Sequence, residues 1–271
     1  MSIPAEQQCR PVGVFDSGVG GLSILRAIRD ELPNESLVYY ADTAYAPYGD
    51  RSDDEIIRRS RQVTQHLLEL GCKAIVVACN TATAAAIAQL RAEFNLPIVG
   101  VEPGIKPAVE RSPTKRVGIL ATSYTLRSAK FQSLVERFGT RAQLTVQACP
   151  GLVETIELPG DHSLRLESLL EVYLKPMKDA HIDTLVLGCT HYSFLVSAIS
   201  RRLGKGIEIL DTPAAVAREL HRRLAVESLL VQASGTFTPV RYLTSAIDLS
   251  HGSALMTRLV GSVIALEHSG D

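Results

Sequence analysis

The chain has 271 residues, 46% of them hydrophobic, with 28 basic against 29 acidic side chains and a formal charge of -1. That balance gives no global reason to expect nucleic acid or an anionic membrane as partner, and the apolar fraction excludes a disordered chain. Five cysteines are an odd number in a chain long enough to bury a core without covalent staples.

Met1–Arg10 is polar and lacks an apolar run, so no signal peptide is expected. The longest apolar stretch, Ala74–Leu90, is interrupted by Asn80, Thr81 and Thr83 and falls short of the ~20 residues of a membrane span. A reducing cytoplasm is the expected location, where disulfides are rare. Cys9, Cys72, Cys79, Cys149 and Cys189 contain no Cys-x-x-Cys, and no metal site is expected.

In chain order, Val12–Phe15 reads as a strand, followed by a Gly-rich turn and a helix over Gly21–Leu32. A strand at Leu37–Ala41, a loop through Pro47 and a helix over Asp53–Leu70 follow; Ser52 and Glu55 fit a capping box. Ala74–Ala78 is a strand, Thr81–Phe94 a helix and Ile98–Gly100 a strand. The order then restarts with a strand at Val117–Ala121, a helix at Ser128–Phe138 and a strand at Leu144–Gln147. Next come a helix over Leu164–Ala180, a strand at Thr184–Gly188, a helix over Phe194–Leu203 and a strand at Ile207–Leu210. After Thr212 the pattern predicts a long helix, an extended piece near Phe237–Thr244 and a last helix from about Ser253. Short apolar strands alternating with helices indicate α/β architecture with parallel sheets and crossover helices.

The two halves read as copies. Val12–Ser17 matches Val117–Thr122, Lys73–Asn80 matches Asp183–Thr190, and Glu102-Pro103 matches Asp211-Thr212-Pro213, at offsets of about 105 to 110 residues. Two similar α/β domains are therefore expected, 11–103 with 213–271 and 104–212. The fold class that follows is a pair of parallel-sheet domains related by pseudo-two-fold symmetry, with the active site in the cleft between them.

Parallel strands of ordinary composition account for Val-Gly-Ile repeats, but not for a cysteine at the same strand end in both halves. Ligands bind outside the carboxyl ends of such strands, where Asp16-Ser17, Cys79-Asn80-Thr81, Thr122 and Cys189-Thr190-His191 fall. Each cysteine is expected just before a helix N-terminus, which favours a thiolate. Cys72 and Cys149 read as small buried hydrophobes and Cys9 as an exposed tail residue. Two thiols flanking one cleft suit a reaction that moves a proton from one face of a carbon to the other. Gly18, Gly20 and Gly21 have neither Gly-x-Gly-x-x-Gly spacing nor a P-loop lysine, and His191 beside Cys189 lacks an evident third metal ligand.

The sequence resembles the cofactor-independent aspartate/glutamate racemase family. The residues that carry the resemblance are Gly13–Leu22, Ala41–Gly49, Cys79–Ala82, Val101–Ala108 and Leu187–Tyr192, five motifs in family order. The resemblance implies two-base interconversion of L- and D-glutamate without a cofactor, supplying D-glutamate for peptidoglycan. Cys79 and Cys189 would be the acid/base pair. Asp16 and Ser17 would contact the substrate ammonium and tune the Cys79 side, and His191 would act correspondingly near Cys189. Tyr48 and Gly49 would offer backbone donors to a carboxylate, with Asn80, Thr81, Thr122 and Thr190 completing the polar surround. Family members often carry a further glutamate after a Cys-Pro. Glu157 has that offset from Cys149-Pro150, with Glu154 as the alternative. A small dicarboxylate is the expected partner and a homodimer the expected assembly. A sibling acting on aspartate or a hydantoin, or a non-catalytic relative, are the other readings.

Overall fold

The computed structural model describes residues 5–231 and 239–270. They divide into two compact units, one from the chain's first 101 residues together with those from Pro213 onward, the other from Glu102–Thr212.

The first unit begins with α1 (Ala5–Gln8), β1 (Val12–Asp16), α2 (Leu22–Glu31), β2 (Leu37–Ala41), α3 (Asp53–Glu69), β3 (Ala74–Val77), α4 (Asn80–Glu93) and β4 (Ile98–Gly100). The second holds α5 (Ile105–Arg111), β5 (Arg116–Ala121), α6 (Ser123–Arg127), α7 (Ala129–Gly139), β6 (Gln143–Ala148), α8 (Leu152–Glu157), α9 (Ser163–Asp179), β7 (Thr184–Gly188), α10 (Val196–Leu203) and β8 (Glu208–Leu210). The chain then returns to the first unit with α11 (Pro213–Val226), β9 (Arg241–Thr244), α12 (Leu249–Val260) and β10 (Leu266–His268).

Strand order is β10-β9-β2-β1-β3-β4 in the first sheet and β6-β5-β7-β8 in the second, and every pairing is parallel. Four successive strands of the first sheet, β2-β1-β3-β4, repeat the order of the second, with β1 and β5 in matching places, likewise β3 and β7. Every residue of β1, β2, β3 and β7 is buried, as parallel strands covered on both faces require. In the second unit, Ile105 and Val109 of α5 and Phe131 and Phe138 of α7 pack with Val117 and Ile119 of β5.

Ser52 caps α3 in a complete capping box with Glu55. The expected helix from Ser253 begins instead at Leu249, because the Asp248 side chain accepts from the N–H groups of Ser250 and His251. The extended piece is β9 from Arg241; Phe237 and Thr238 lie outside the described residues. The helix expected at Phe194 starts at Val196, behind a 3-10 segment, Thr190–Leu195. Short α5, α6, α8 and β10 are additions to the expected pattern; five to seven residues, or three in the strand, are too few to display a period.

Candidate active site

Parallel pairing places the ends of neighbouring strands side by side, and the chemistry-bearing residues leave those ends. In the first unit β1 delivers Asp16 and Ser17, and β3 runs through Ala78, whose N–H donates to Phe15 O at 2.7 Å, into Cys79. Ser17 Oγ lies 3.5 Å from Cys79 Sγ and 3.3 Å from Asp16 Oδ1. Asp16 Oδ1 also accepts the Gly18 N–H at 2.8 Å, an Asx turn that folds the chain back. Helix α2 comes close enough to allow this only because residue 21 is glycine. A Cβ there would stand 2.8 Å from Asp16 Cβ and 2.9 Å from Ala78 Cβ.

Cys79 is the N-cap of the 14-residue α4, and its sulfur accepts from the Ala82 N–H at 3.5 Å. The helix dipole therefore places positive potential on this sulfur. Asn80 and Thr81 form the first turn, each about 4% exposed. Neither polar atom of the Asn80 carboxamide has a hydrogen-bond partner among the described residues, and a buried pair of this kind is the sort of group a bound polar ligand satisfies.

The turn Tyr48–Asp50 packs against α4. The Tyr48 hydroxyl donates to Asp42 Oδ2, and burial, then the Asp42 carboxylate, push its pKa well above the usual tyrosine range. It stays a neutral donor. Gly49 follows in the same turn, half-buried.

In the second unit β5 ends beside β7, with Ala121 opposite Gly188, so Thr122 and Cys189 leave adjacent strand ends. The Thr122 hydroxyl caps α6, accepting from Thr125 N–H at 3.2 Å and donating to Thr125 Oγ1 at 2.9 Å. Cys189 Sγ lies 3.8 Å from His191 Nδ1, and His191 Nε2 lies 2.7 Å from Glu157 Oε1. His191 and Thr190 are both 3% exposed. Burial alone depresses an imidazole pKa, but the contacts with Cys189 and Glu157 outweigh it and hold His191 well above its ordinary value.

The two thiols thus differ in what supports them. Cys79 has an α-helix N-terminus, as expected. Cys189 precedes a 3-10 turn instead, in which His191 lies beside the sulfur, and the α-helix follows from Val196. An imidazole with a raised pKa stands beside this sulfur, where Cys79 has the helix N-terminus. Of the two candidate glutamates, Glu157 ends α8 against His191, whereas Glu154 is exposed. Burial raises the thiols of Cys72 and Cys149 to about 12, which suits inert packing. Asp42 and Arg59 were not among the sequence candidates, yet they hold Tyr48 in place. The available signal was Arg59 on the apolar stripe of α3, among Ile56, Val63 and Leu67.

The family profile described as Asp/Glu/Hydantoin racemase matches residues 22–220. A glutamate racemase of Pseudomonas paraeruginosa is 50% identical over 88% of this chain and 89% of its own. The structure of a glutamate racemase isoform from Bacillus anthracis superposes with a TM-score of 0.86 at 31% identity, covering 96% of this chain and 97% of that one. The Escherichia coli glutamate racemase, solved with L-glutamate and the activator UDP-MurNAc-Ala, gives 0.82 at 33% identity, over 96% and 98%. The fold and these likenesses define an amino-acid racemase, an isomerase. The chain belongs to the Asp/Glu/hydantoin racemase family.

Proposed function

We propose that the protein interconverts L- and D-glutamate by proton transfer between two thiols, without a cofactor, and supplies D-glutamate to peptidoglycan synthesis in the cytoplasm. The observation that carries this reading is the repetition of one arrangement in two units. The strands in matching places, β3 and β7, each run into a cysteine whose sulfur has a hydrogen-bonding neighbour, Ser17 for Cys79 and His191 for Cys189. The relatives at half identity and the fully covering structures are glutamate racemases.

In this reaction the thiolate of one cysteine removes the α-proton and becomes a thiol, leaving the electron pair on Cα. The thiol of the other cysteine gives its proton to the opposite face and becomes the thiolate. Charge and protons balance, and exchange with solvent resets the pair. An α-proton is far less acidic than a thiol, so the demanding step is stabilising the carbanion and its carboxylate. The Asn80 carboxamide and the Thr81, Thr122 and Thr190 hydroxyls provide for the carboxylate on Cα, backbone donors at Tyr48 and Gly49 hold the carboxylate remote from it, and Asp16 and Ser17 face the ammonium.

The test is incubation with L-glutamate in heavy water without added cofactor. Loss of optical rotation, with deuterium at Cα of the product, is expected. A requirement for pyridoxal phosphate, or turnover of aspartate with glutamate untouched, would overturn the reading.

The His191 arrangement also has a pH signature. Its raised pKa keeps the imidazole cationic to a higher pH than usual. Glu157→Gln removes a carboxylate that raises it, so His191 should lose its proton earlier as pH rises. The alkaline limb of kcat should move to lower pH, with a loss of about tenfold near pH 8 and convergence with wild type in acid. Glu154→Gln should leave the profile in place.

A further inference from the structure

The loop that carries Tyr48 and Gly49 is fastened from behind by Arg59. This residue lies on the buried face of α3, and its side chain is 6% exposed. Nε donates to Asp42 Oδ2 at 2.9 Å and Nη2 to Asp42 Oδ1 at 2.8 Å. Nη2 also donates to the Tyr40 hydroxyl at 3.1 Å and Nη1 to Gln62 Oε1 at 3.3 Å. The guanidinium stacks 4.1 Å from the centre of the Tyr45 ring. Asp42 is fully buried, donates its own N–H to Asp16 O at 2.9 Å and accepts the Tyr48 hydroxyl on Oδ2. One arginine thus reaches the residue before the loop, a residue within it and, through Asp42, the tyrosine at its far end.

Packing α3 on the sheet does not require this. An apolar side chain in place of a buried ion pair is often neutral or stabilising when both partners go. What a bidentate arginine adds is orientation, since two parallel N–H bonds fix the plane of the carboxylate. The Asp42 plane in turn fixes where the Tyr48 phenol ends, and with it the backbone of Tyr48 and Gly49.

We propose that Arg59 is a positioning residue for substrate binding, acting through Asp42 and Tyr48 on the 43–50 loop whose backbone N–H groups receive a substrate carboxylate. The inference rests on the function proposed above. That carboxylate is charged both before and during proton transfer, so a loosened loop weakens ground state and transition state alike. KM should respond and kcat should hold.

The experiment compares Arg59→Lys, Arg59→Met and Arg59→Met with Asp42→Asn against wild type, by glutamate kinetics and by backbone hydrogen exchange of the free protein. Arg59→Lys keeps the charge but loses the fork, and should raise KM about tenfold with kcat within about threefold. Arg59→Met should raise KM further. Adding Asp42→Asn should recover most of that loss, since the carboxamide still accepts the Tyr48 hydroxyl without needing a cation. Exchange in Arg59→Lys should accelerate within 43–50 while α3 stays protected. Unchanged exchange in that loop, or a fall in kcat at constant KM, overturns the inference. Accelerated exchange in a protein whose wild type does not turn over glutamate overturns the substrate reading and leaves the positioning role standing.

Discussion

Cys79→Ala should lower racemisation by at least about a thousandfold, while α-hydrogen exchange persists in one enantiomer only. Cys189→Ala should lower racemisation as much and leave exchange in the other enantiomer. With each thiol serving one face of Cα, a single remaining thiolate can still remove a proton and return a solvent-derived one to the same face. Exchange then occurs without inversion. The substitutions are mild structurally: at Cys79 they remove the cap contact to the Ala82 N–H, worth about 1 kcal/mol, and the contact with the Ser17 hydroxyl. Proton NMR in heavy water reads exchange, and polarimetry reads inversion. Racemisation within tenfold of wild type in either variant would end the two-thiol mechanism, as would exchange of the same enantiomer in both.

The second large effect lies at the opposite rim of the first sheet. Lys73 precedes β3 with its side chain fully buried, and Nζ sits 2.6 Å from Glu35 Oε2. Nζ also donates to the carbonyls of Gln8 and Leu229, and Glu35 Oε1 accepts the Val231 N–H at 3.0 Å. Lys73→Met leaves the Glu35 carboxylate without its cation, and breaking a buried pair in this way costs about 3–5 kcal/mol. That is a large share of the roughly 5–15 kcal/mol that holds a domain together. Denaturant titration should show the loss, and Glu35→Leu added to Lys73→Met should restore part of it. Because Lys73 and Cys79 lie at opposite ends of β3, the folded fraction should keep its kcat. A loss below about 1 kcal/mol would mean that the pair is not a structural staple.

Most of the sheet framework is legible in the residues. The strands expected at Leu37–Ala41, Ile98–Gly100 and Thr184–Gly188 have those bounds, because buried parallel strands are nearly continuous apolar runs that polar or glycine residues end. The matching of Val12–Ser17 with Val117–Thr122 reappears as β1 and β5 in equivalent sheet positions. The same regularity places Cys79 and Cys189 at equivalent strand ends. What supports each sulfur is less legible. Six residues can wind as 3-10 or α-helix, and it is in the 3-10 course of Thr190–Leu195 that His191 Nδ1 lies beside Cys189. Glu154 and Glu157 differ by less than one helical turn, and local sequence does not say which one packing turns inward. Arg59 is harder still, since its partner Asp42 lies 17 residues away across a loop with no periodicity.

The Lys73 cluster also sets an order of events during synthesis. Strands β1 to β4 of the first sheet are complete once residue 100 has been made, yet Leu229 lies 156 residues after Lys73. At about 5–20 residues per second the ribosome needs roughly 8 to 30 s to supply it. All of residues 102–212 emerges in that interval, so the inserted unit has its full sequence before the first unit can close its last carbonyl over the buried ammonium. The nascent chain therefore lacks the Leu229 carbonyl beside the Lys73 ammonium throughout, and the first unit is completed only after the inserted unit has been made.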